Sequence, residues 1–240
     1  NMEKENAVMY DIVFISYNEP LADHNYKTLC ERFPIAQRVN NVKGIHQAHI
    51  EAAKLALTKM FWVVDGDAVI EKDFMFNYAV PEKDLTAVHV WRSRNPINDL
   101  QYGYGGVKLL PRRMTLEMNT DTTDMTTSIS NRFRAMEQVS NITAFNSDPF
   151  SAWKSAFREC VKLSSRVIDR QEDQETEKRL DAWCTLGANR PYGDFAMDGA
   201  QQGKKYGEQN KNNPAQLKLI NDFDWLQKYF KETCSVSEYY

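Results

Sequence analysis

The sequence is poor in cysteine, and the cysteines it has are not paired. Four cysteines are scattered over 240 residues with no C-x-x-C spacing, which argues against a disulfide framework and against a zinc ribbon. No apolar stretch is long enough to span a bilayer, and the polar, charged first residues do not resemble a signal peptide. We therefore expect reduced thiols in a cytoplasmic protein that does not associate with membranes.

Two further features are missing, a linker and an excess of positive charge. No Pro-, Gly- or Ser-rich segment divides the chain, so we predict a single domain over residues 1–240. The 30 Lys and Arg residues are outnumbered by 33 Asp and Glu residues, which gives a net charge of −3. That balance argues against a protein that coats nucleic acid through bulk electrostatics.

The most informative segment that is present is FWVVDGDAVI, residues 61–70. An apolar run ends abruptly at Asp65 and Asp67, as expected where a buried strand reaches the surface. Two carboxylates at such an edge suit Mg²⁺ or Mn²⁺ brought in by a phosphate, and Gly66 between them leaves room for a ligand. An ordinary turn at the end of a strand explains the same residues.

The segments before it predict an α/β fold. YDIVFISY, residues 10–17, is typical of a strand, and Pro20 ends it because proline cannot continue the ladder. After Gly44, the apolar residues Ile45, Ala48 and Ala52 recur at helical spacing before the next strand begins. We predict a central, mostly parallel sheet flanked by helices, in which ligands bind at the carboxyl ends of the strands.

Taken together, the first-strand YNE loop at residues 17–19, the glycine-to-helix segment and the DGD turn resemble the GT-A glycosyltransferases, in particular the family 2-like enzymes. These motifs cover roughly the first third of the chain. The resemblance implies a single GT-A (Rossmann-like) domain that uses a nucleotide sugar, with Mn²⁺ or Mg²⁺ at Asp65 and Asp67. Residues 9–110 would form the nucleotide-sugar-binding part, and residues 111–240 the acceptor side and the C-terminal helices.

The resemblance also implies which residues contact the donor. The YNE loop would cradle the base and ribose, and Lys43 with the start of the helix would hold the diphosphate, since free N–H groups point outward there. The implied donor-binding residues are Ser16, Tyr17, Asn18, Glu19, Lys43, Gly44, His46, Asp65, Gly66, Asp67, Gly105 and Gly106.

Two later segments, YGYGGVKLLPR and FNSDPFSAWKSAFRECVKL, are similar to small glycosyltransferases encoded by large bacteriophages. This second resemblance implies transfer of glucose, or of a pentose such as arabinose, from a UDP-sugar to a 5-hydroxymethylated pyrimidine in phage DNA within the host cytoplasm. Tyr104 could pack on the sugar, and Gly105 and Gly106 could let it approach the backbone. A glycine-rich hairpin without a ligand explains the same sequence.

Basic residues are concentrated between Arg92 and Arg134, where seven face only four acidic residues. We interpret this segment as an electropositive wall for an anionic donor or acceptor, and surface scatter is the alternative. The residues assigned to the acceptor are Arg92, Arg94, Tyr104 and Asp194.

A general base is expected in the Thr-, Asn- and Asp-rich segment 112–134. Inverting transfer needs a carboxylate to accept the proton of the acceptor hydroxyl, and Asp124 is the first candidate and Asp121 the second. A hydrophilic surface loop explains both residues equally. The chain departs here from the family 2-like pattern, because neither an E-D pair nor a Q-x-x-R-W box is visible, and this leaves the base and the stereochemistry open.

The sequence offers few candidates for further ligands of the metal. His46 and His49 lie three residues apart, but no third zinc ligand accompanies them. No histidine follows His89, so Asp194 or Asp198 could complete the coordination of the ion.

Three alternative functions stay open. The acceptor could be a polysaccharide or a protein. The chain could also bind a nucleotide sugar without transferring it, or it could be a nucleotidyltransferase, although SYNEPLADHN lacks the glycine- and basic-rich loop usual in that class. The oligomeric state is not determined by the sequence.

Overall fold

In the computed structural model the chain forms two compact units, and the structure describes residues 9–103, 105–167 and 173–236. The first unit contains the residues up to Ser93 together with Tyr102–Met118 and Ile129–Ile142. The second contains Arg94–Gln101, Asn119–Ser128 and the residues from Thr143 onward. The division does not follow chain order, because each unit is assembled from three stretches.

The first unit is built on one sheet. Its strands are β1 (Asp11–Ser16), β2 (Gln37–Asn40), β3 (Met60–Asp65), β4 (Ala68–Ile70), β5 (Val88–Arg94), β6 (Gln101–Tyr102), β7 (Val107–Pro111) and β8 (Phe133–Thr143). Its helices are α1 (Ala22–Arg32), α2 (Ile45–Leu55) and α3 (Arg112–Leu116), with a 3₁₀ turn at Glu82–Asp84. The predicted α/β fold, with the first strand, the helix after Gly44 and the strand before Asp65, is confirmed.

The sheet is mixed. Its order is β2-β1-β3-β7-β5-β8-β4, and β6 pairs with β5. β1 is parallel to both β2 and β3, whereas β7 is antiparallel to both β3 and β5. The expected parallel pairing therefore holds for β2, β1 and β3, and β7 brings antiparallel pairing into the middle of the sheet.

Helices cover both faces of this sheet. Because side chains alternate along a strand, Ile12 and Phe14 point to one face, where they form a core with Trp62 and with Leu29 of α1. Val63 points to the opposite face, and α2 packs against β1 and β2.

The second unit is mainly helical. Its helices are α4 (Met125–Ile129), α5 (Pro149–Ser165), α6 (Asp173–Thr185), α7 (Gly193–Gln209), α8 (Pro214–Lys218) and α9 (Phe223–Thr233), with a 3₁₀ turn at Leu219–Asn221. Across the described residues, no helix combines the length and apolar character that a membrane crossing requires.

Close packing of α5 against α7 depends on glycines. Gly199, Gly203 and Gly207 recur every four residues and are buried, so they form one stripe along α7. A Cβ atom at position 203 would lie 3.0 Å from the Cα of Phe157 and would overlap the Phe157 carbonyl oxygen. The backbones of α5 and α7 are therefore closer than a side chain would permit.

Replacement of Gly203 by alanine should destabilise the protein, although alanine is intrinsically the better helix former. The overlap with backbone atoms of α5 predicts a loss of about 1–3 kcal/mol in the free energy of unfolding, measured by urea denaturation. Lys205→Ala, two residues further along α7 and exposed, should change it by less than about 0.5 kcal/mol. Equal stability of Gly203→Ala and wild type would contradict the close packing.

Candidate functional site

The first-strand loop and the DGD turn lie at the same edge of the sheet. Parallel pairing of β1 with β3 places Ile15 opposite Asp65, so the chain leaves both strands side by side. The loop after Ser16 and the turn Asp65–Asp67 are therefore neighbours, as the sequence predicts. This edge carries the predicted donor residues of both motifs.

Glu19 occupies the space beside Gly66. A Cβ atom on Gly66 would lie 2.6 Å from Oε2 of Glu19 and 3.0 Å from Cβ of Ser16. Oε2 of Glu19 in turn accepts a hydrogen bond of 2.7 Å from the backbone N–H of Tyr17. The small size of Gly66 thus accommodates a carboxylate of the same protein, and the contact of Gly66 with a donor stays a prediction.

A helix residue that the sequence gave no reason to select holds the DGD turn. Asn25 of α1 is buried and donates from Nδ2 to the carbonyl oxygen of Gly66 over 2.9 Å. This hydrogen bond anchors the turn to α1, so the backbone on either side of Gly66 is held by α1 as well as by β3.

The end of β1 is tied to β2 by a polar cluster. The Ser16 hydroxyl is buried and donates to Oδ1 of Asn40 over 2.8 Å, and it accepts from Nε of Arg38 over 2.9 Å. The guanidinium of Arg38 also lies over the rings of Phe14 and Tyr26. Ser16 therefore positions the end of the strand, and its role as a donor contact stays a prediction.

The loop after β2 leads directly into the start of α2. Gly44 has a φ of 92°, which a residue with a side chain rarely adopts, and both Gly44 and Lys43 are exposed. His46 is buried on α2. Binding of a diphosphate by Lys43 and the first turn of α2 stays a prediction, and His46 is buried to a degree that the sequence did not indicate.

His49, one turn further along α2, is also buried. Its Nδ1 lies 2.7 Å from the carbonyl oxygen of Ile45. Burial, and after it the positive charge of Lys108, hold the pKa of His49 well below its usual range. The ring is therefore neutral at physiological pH.

Lys108 joins the two glycine-containing segments of the site. It lies on β7 opposite Val63, and its side chain runs to the strand end, where Nζ donates to the Gly105 carbonyl over 2.5 Å and lies 3.3 Å from Oδ1 of Asp65. The backbone N–H of Asp65 donates to the Gly106 carbonyl over 2.9 Å. The predicted pair Gly105 and Gly106 thus lies beside Asp65, and Lys108 is a site residue that sequence reasoning missed.

Gly106 also packs against a buried amide. A Cβ atom there would lie 2.7 Å from Oδ1 of Asn141, whose Nδ2 donates to the hydroxyls of Ser93 and Ser140 over 2.9 Å each. All three polar residues are fully buried. As at Gly66, the glycine makes room for the protein's own side chain.

Most of the basic segment is engaged in contacts within the protein. The residues with such contacts are Lys108, Arg112, Arg113, Arg132 and Arg134. Arg92 and Arg94 are exposed and lie two residues apart on β5, hence on the same side of that strand. Arg113, Arg132 and Arg134 are also exposed in part, and the electropositive wall stays a prediction.

The candidate bases lie in the second unit. Asp124 is buried, accepts hydrogen bonds from Thr126 and Thr127, and lies 3.6 Å from the ammonium of Lys162. Burial raises the pKa of Asp124, but Lys162 and the hydrogen bonds outweigh it, so the pKa lies below its usual value. These contacts weigh against Asp124 as a base, since a carboxylate with a low pKa is a weaker proton acceptor.

The second candidate is exposed. Asp121 pairs with Lys218, whose hydrogen bond and charge lower the pKa of Asp121. The choice between the two residues as general base stays a prediction.

Two other predicted acids have contacts of their own. Asp194 lies in the first turn of α7 and accepts from the N–H of Phe195 over 2.9 Å. Asp198 is buried and accepts from the indole N–H of Trp153 over 2.9 Å and from Ser235. Asp198 therefore joins α5, α7 and the segment after α9. The predicted contact of Tyr104 lies outside the described residues.

The acidic pair fits a metal ion that arrives with its own ligands. Within residues 9–103, 105–167 and 173–236, no group of three or more His, Cys, Asp and Glu side chains is arranged to hold a metal. Asp65 is 34% exposed at the strand end, and carboxylates with substrate phosphates are the usual ligands of Mg²⁺. Asp65 and Asp67 therefore suit an ion whose remaining ligands come from a diphosphate and water.

No protein-family model and no curated protein matches the sequence. Among solved structures, the mannosyltransferase PcManGT from Pyrobaculum calidifontis, solved with GDP-Man and Mn²⁺, is similar at 14% identity and a TM-score of 0.47, over 82% of this chain and 74% of that one. HddC from Yersinia pseudotuberculosis has 13% identity and a TM-score of 0.35, over 57% and 92%. S. aureus TarS 1-349 has 8% identity and a TM-score of 0.37, over 92% and 91%. At these values the likeness carries no inference about function.

Asp124→Asn should destabilise the protein in a pH-dependent manner. Because the folded state lowers the pKa of Asp124, its contribution is fully present above the unfolded pKa of about 3.9 and is lost as pH falls through the folded pKa. We expect a loss of about 2 kcal/mol at pH 7 that shrinks below pH ~4, measured by urea unfolding across pH.

Asp121→Asn is the control, since Asp121 is exposed and its ion pair is screened by solvent. It should change stability little at any pH. A loss in Asp124→Asn that is the same at pH 7 and at low pH would contradict the ionic role.

Proposed function

We propose that the protein is a metal-dependent glycosyltransferase that transfers a sugar from a UDP-sugar, with glucose or a pentose such as arabinose, to a hydroxyl acceptor. The observation that carries the proposal is the pairing of Ile15 with Asp65, which brings the first-strand loop and the acidic turn to one edge of the sheet. Open α/β sheets bind ligands at that edge. The motifs that resemble GT-A enzymes thus meet in space as they follow one another in sequence.

Different residues of this edge contact different parts of the donor. Tyr17, Asn18 and Glu19 contact the base and ribose, while Lys43 and the first turn of α2 bind the diphosphate through charge and N–H groups. Asp65 and Asp67 hold Mn²⁺ or Mg²⁺, which when bound neutralises charge on the departing nucleoside diphosphate. Gly105 and Gly106, beside Asp65, line the passage from donor to acceptor.

A 5-hydroxymethylated pyrimidine in phage DNA is the acceptor that we propose. It is supported by the resemblance to phage enzymes and by Arg92 and Arg94, which are exposed on one side of β5 and suit phosphate groups. Tyr104 and Asp194 complete the proposed acceptor contacts. Since Lys108 and four arginines are bound within the protein, the DNA contact rests on few charges.

That scarcity of available charge favours a second candidate, transfer to a polysaccharide or to a protein hydroxyl. A neutral glycan needs no phosphate-binding surface, whereas DNA does. The two acceptors differ in how strongly their binding depends on salt.

Removal of one acidic side chain tests the donor site. Asp67→Ala should lower Mn²⁺-dependent release of UDP from UDP-sugars by a factor of about 100 or more, while the melting temperature stays close to that of wild type. Asp73→Ala, an exposed acid in the same unit, is the matched control and should retain activity. Full Mn²⁺-dependent activity in Asp67→Ala would overturn the assignment.

Salt dependence tests the acceptor. If hydroxymethylated DNA is bound through Arg92 and Arg94, its KM should rise steeply with NaCl, and the double variant Arg92→Gln, Arg94→Gln should reduce the slope of log KM against log salt by about 2. Arg113→Gln, which removes an exposed arginine paired with Glu117, should leave the slope unchanged. UDP release that no DNA stimulates would exclude DNA and direct the search to glycans.

A further inference from the structure

Lys108 places a buried positive charge directly behind the proposed metal ligands. Its side chain is 5% exposed, and it is held by the carboxylate of Asp65 and by the carbonyl of Gly105. Along β7 it lies opposite Val63 of β3 and Val90 of β5, positions where an apolar residue would pack. Burial of an ammonium costs several kcal/mol unless its partners compensate.

Three acidic residues and the buried Lys108 lie at the DGD turn. Asp65 and Asp67 flank Gly66, and the carboxylate of Glu19 packs against Gly66. The ammonium of Lys108 lies 3.3 Å from the carboxylate of Asp65. His49 adds no charge, because burial and the charge of Lys108 lower its pKa and leave the ring neutral.

We propose that Lys108 weakens the binding of a free divalent ion at Asp65 and Asp67 and strengthens the binding of a free nucleoside diphosphate, so that the metal enters together with the nucleotide. The inference rests on the proposed function. An ammonium beside Asp65 repels a cation and attracts an anion, and a protein interior transmits this effect better than water does. The charges of the metal and of the diphosphate largely cancel when they bind as one complex.

An electrostatic role of Lys108 predicts a pattern of ligand binding that a purely structural role does not. Loss of a structural contact disorders the turn and weakens every ligand. Loss of the positive charge strengthens the binding of a cation and weakens the binding of an anion. Opposite shifts therefore separate the two explanations.

The experiment compares wild type with Lys108→Met and Lys108→Gln. Both variants remove the charge, and glutamine keeps an amide that can donate to the Gly105 carbonyl if the apolar variant folds poorly. Mn²⁺ alone is titrated by electron paramagnetic resonance of the free ion, and UDP alone by calorimetry in the presence of EDTA. Lys54→Met, which removes an exposed lysine paired with Glu51 on α2, is the control and should behave as wild type.

We expect Mn²⁺ to bind the two Lys108 variants about tenfold more tightly, and metal-free UDP about tenfold more weakly. Weaker binding of both ligands, or unchanged binding of both, would overturn the proposal and leave Lys108 a structural role. Failure to detect Mn²⁺ binding in wild type and in both variants would also overturn it.

The outcome for the proposed function is separate. If wild type binds Mn²⁺ but UDP at no concentration tested, the proposed function fails, while tighter Mn²⁺ binding by the variants still supports the effect of Lys108 on the metal.

Discussion

The register between β1 and β3 is the constraint on which the site depends. A shift of β3 by one residue against β1 would turn Trp62 out of the core that it forms with Ile12 and Phe14, and would also move Asp65 to the other face of the sheet. The apolar side chains therefore fix the position of the acidic turn. Since those side chains are fully or almost fully buried, the hydrophobic core determines where the first carboxylate emerges.

The antiparallel direction of β7 lets a side chain from the middle of the sheet reach the acidic turn. It runs back from the site edge, so Lys108 starts in the middle of the sheet and reaches Asp65 along the strand. On the other side, Asn25 reaches the Gly66 carbonyl from α1. The turn is thus held from two faces, by an ammonium and by an amide. A lysine in this position is compatible with folding because its charge has a carboxylate and a carbonyl as partners, whereas either partner alone would leave a larger desolvation cost.

Strands and helices could be predicted from the sequence where their apolar pattern is local. Candidate site residues could be selected only where they stand together in a short motif. The apolar runs before Ser16 and Asp65 and the helical spacing after Gly44 identify their elements because burial imposes those periods. Lys108 could not be recognised, since a lysine within VKLLP is typical of a half-exposed strand until its neighbours are known. Gly66 illustrates a second limit: a glycine indicates close approach but does not say to what, and here the approaching group is Glu19 of the same chain.

Charge imposes a further requirement on any anionic donor at this edge. Asp65, Asp67 and Glu19 are acidic, and the buried ammonium of Lys108 pairs with Asp65. These carboxylates repel a diphosphate that approaches without a metal, whereas Lys108, Lys43 and the start of α2 attract it. A divalent ion between the carboxylates and the diphosphate changes the sign of that interaction. In the proposed function the metal therefore links the acidic turn to the anionic donor.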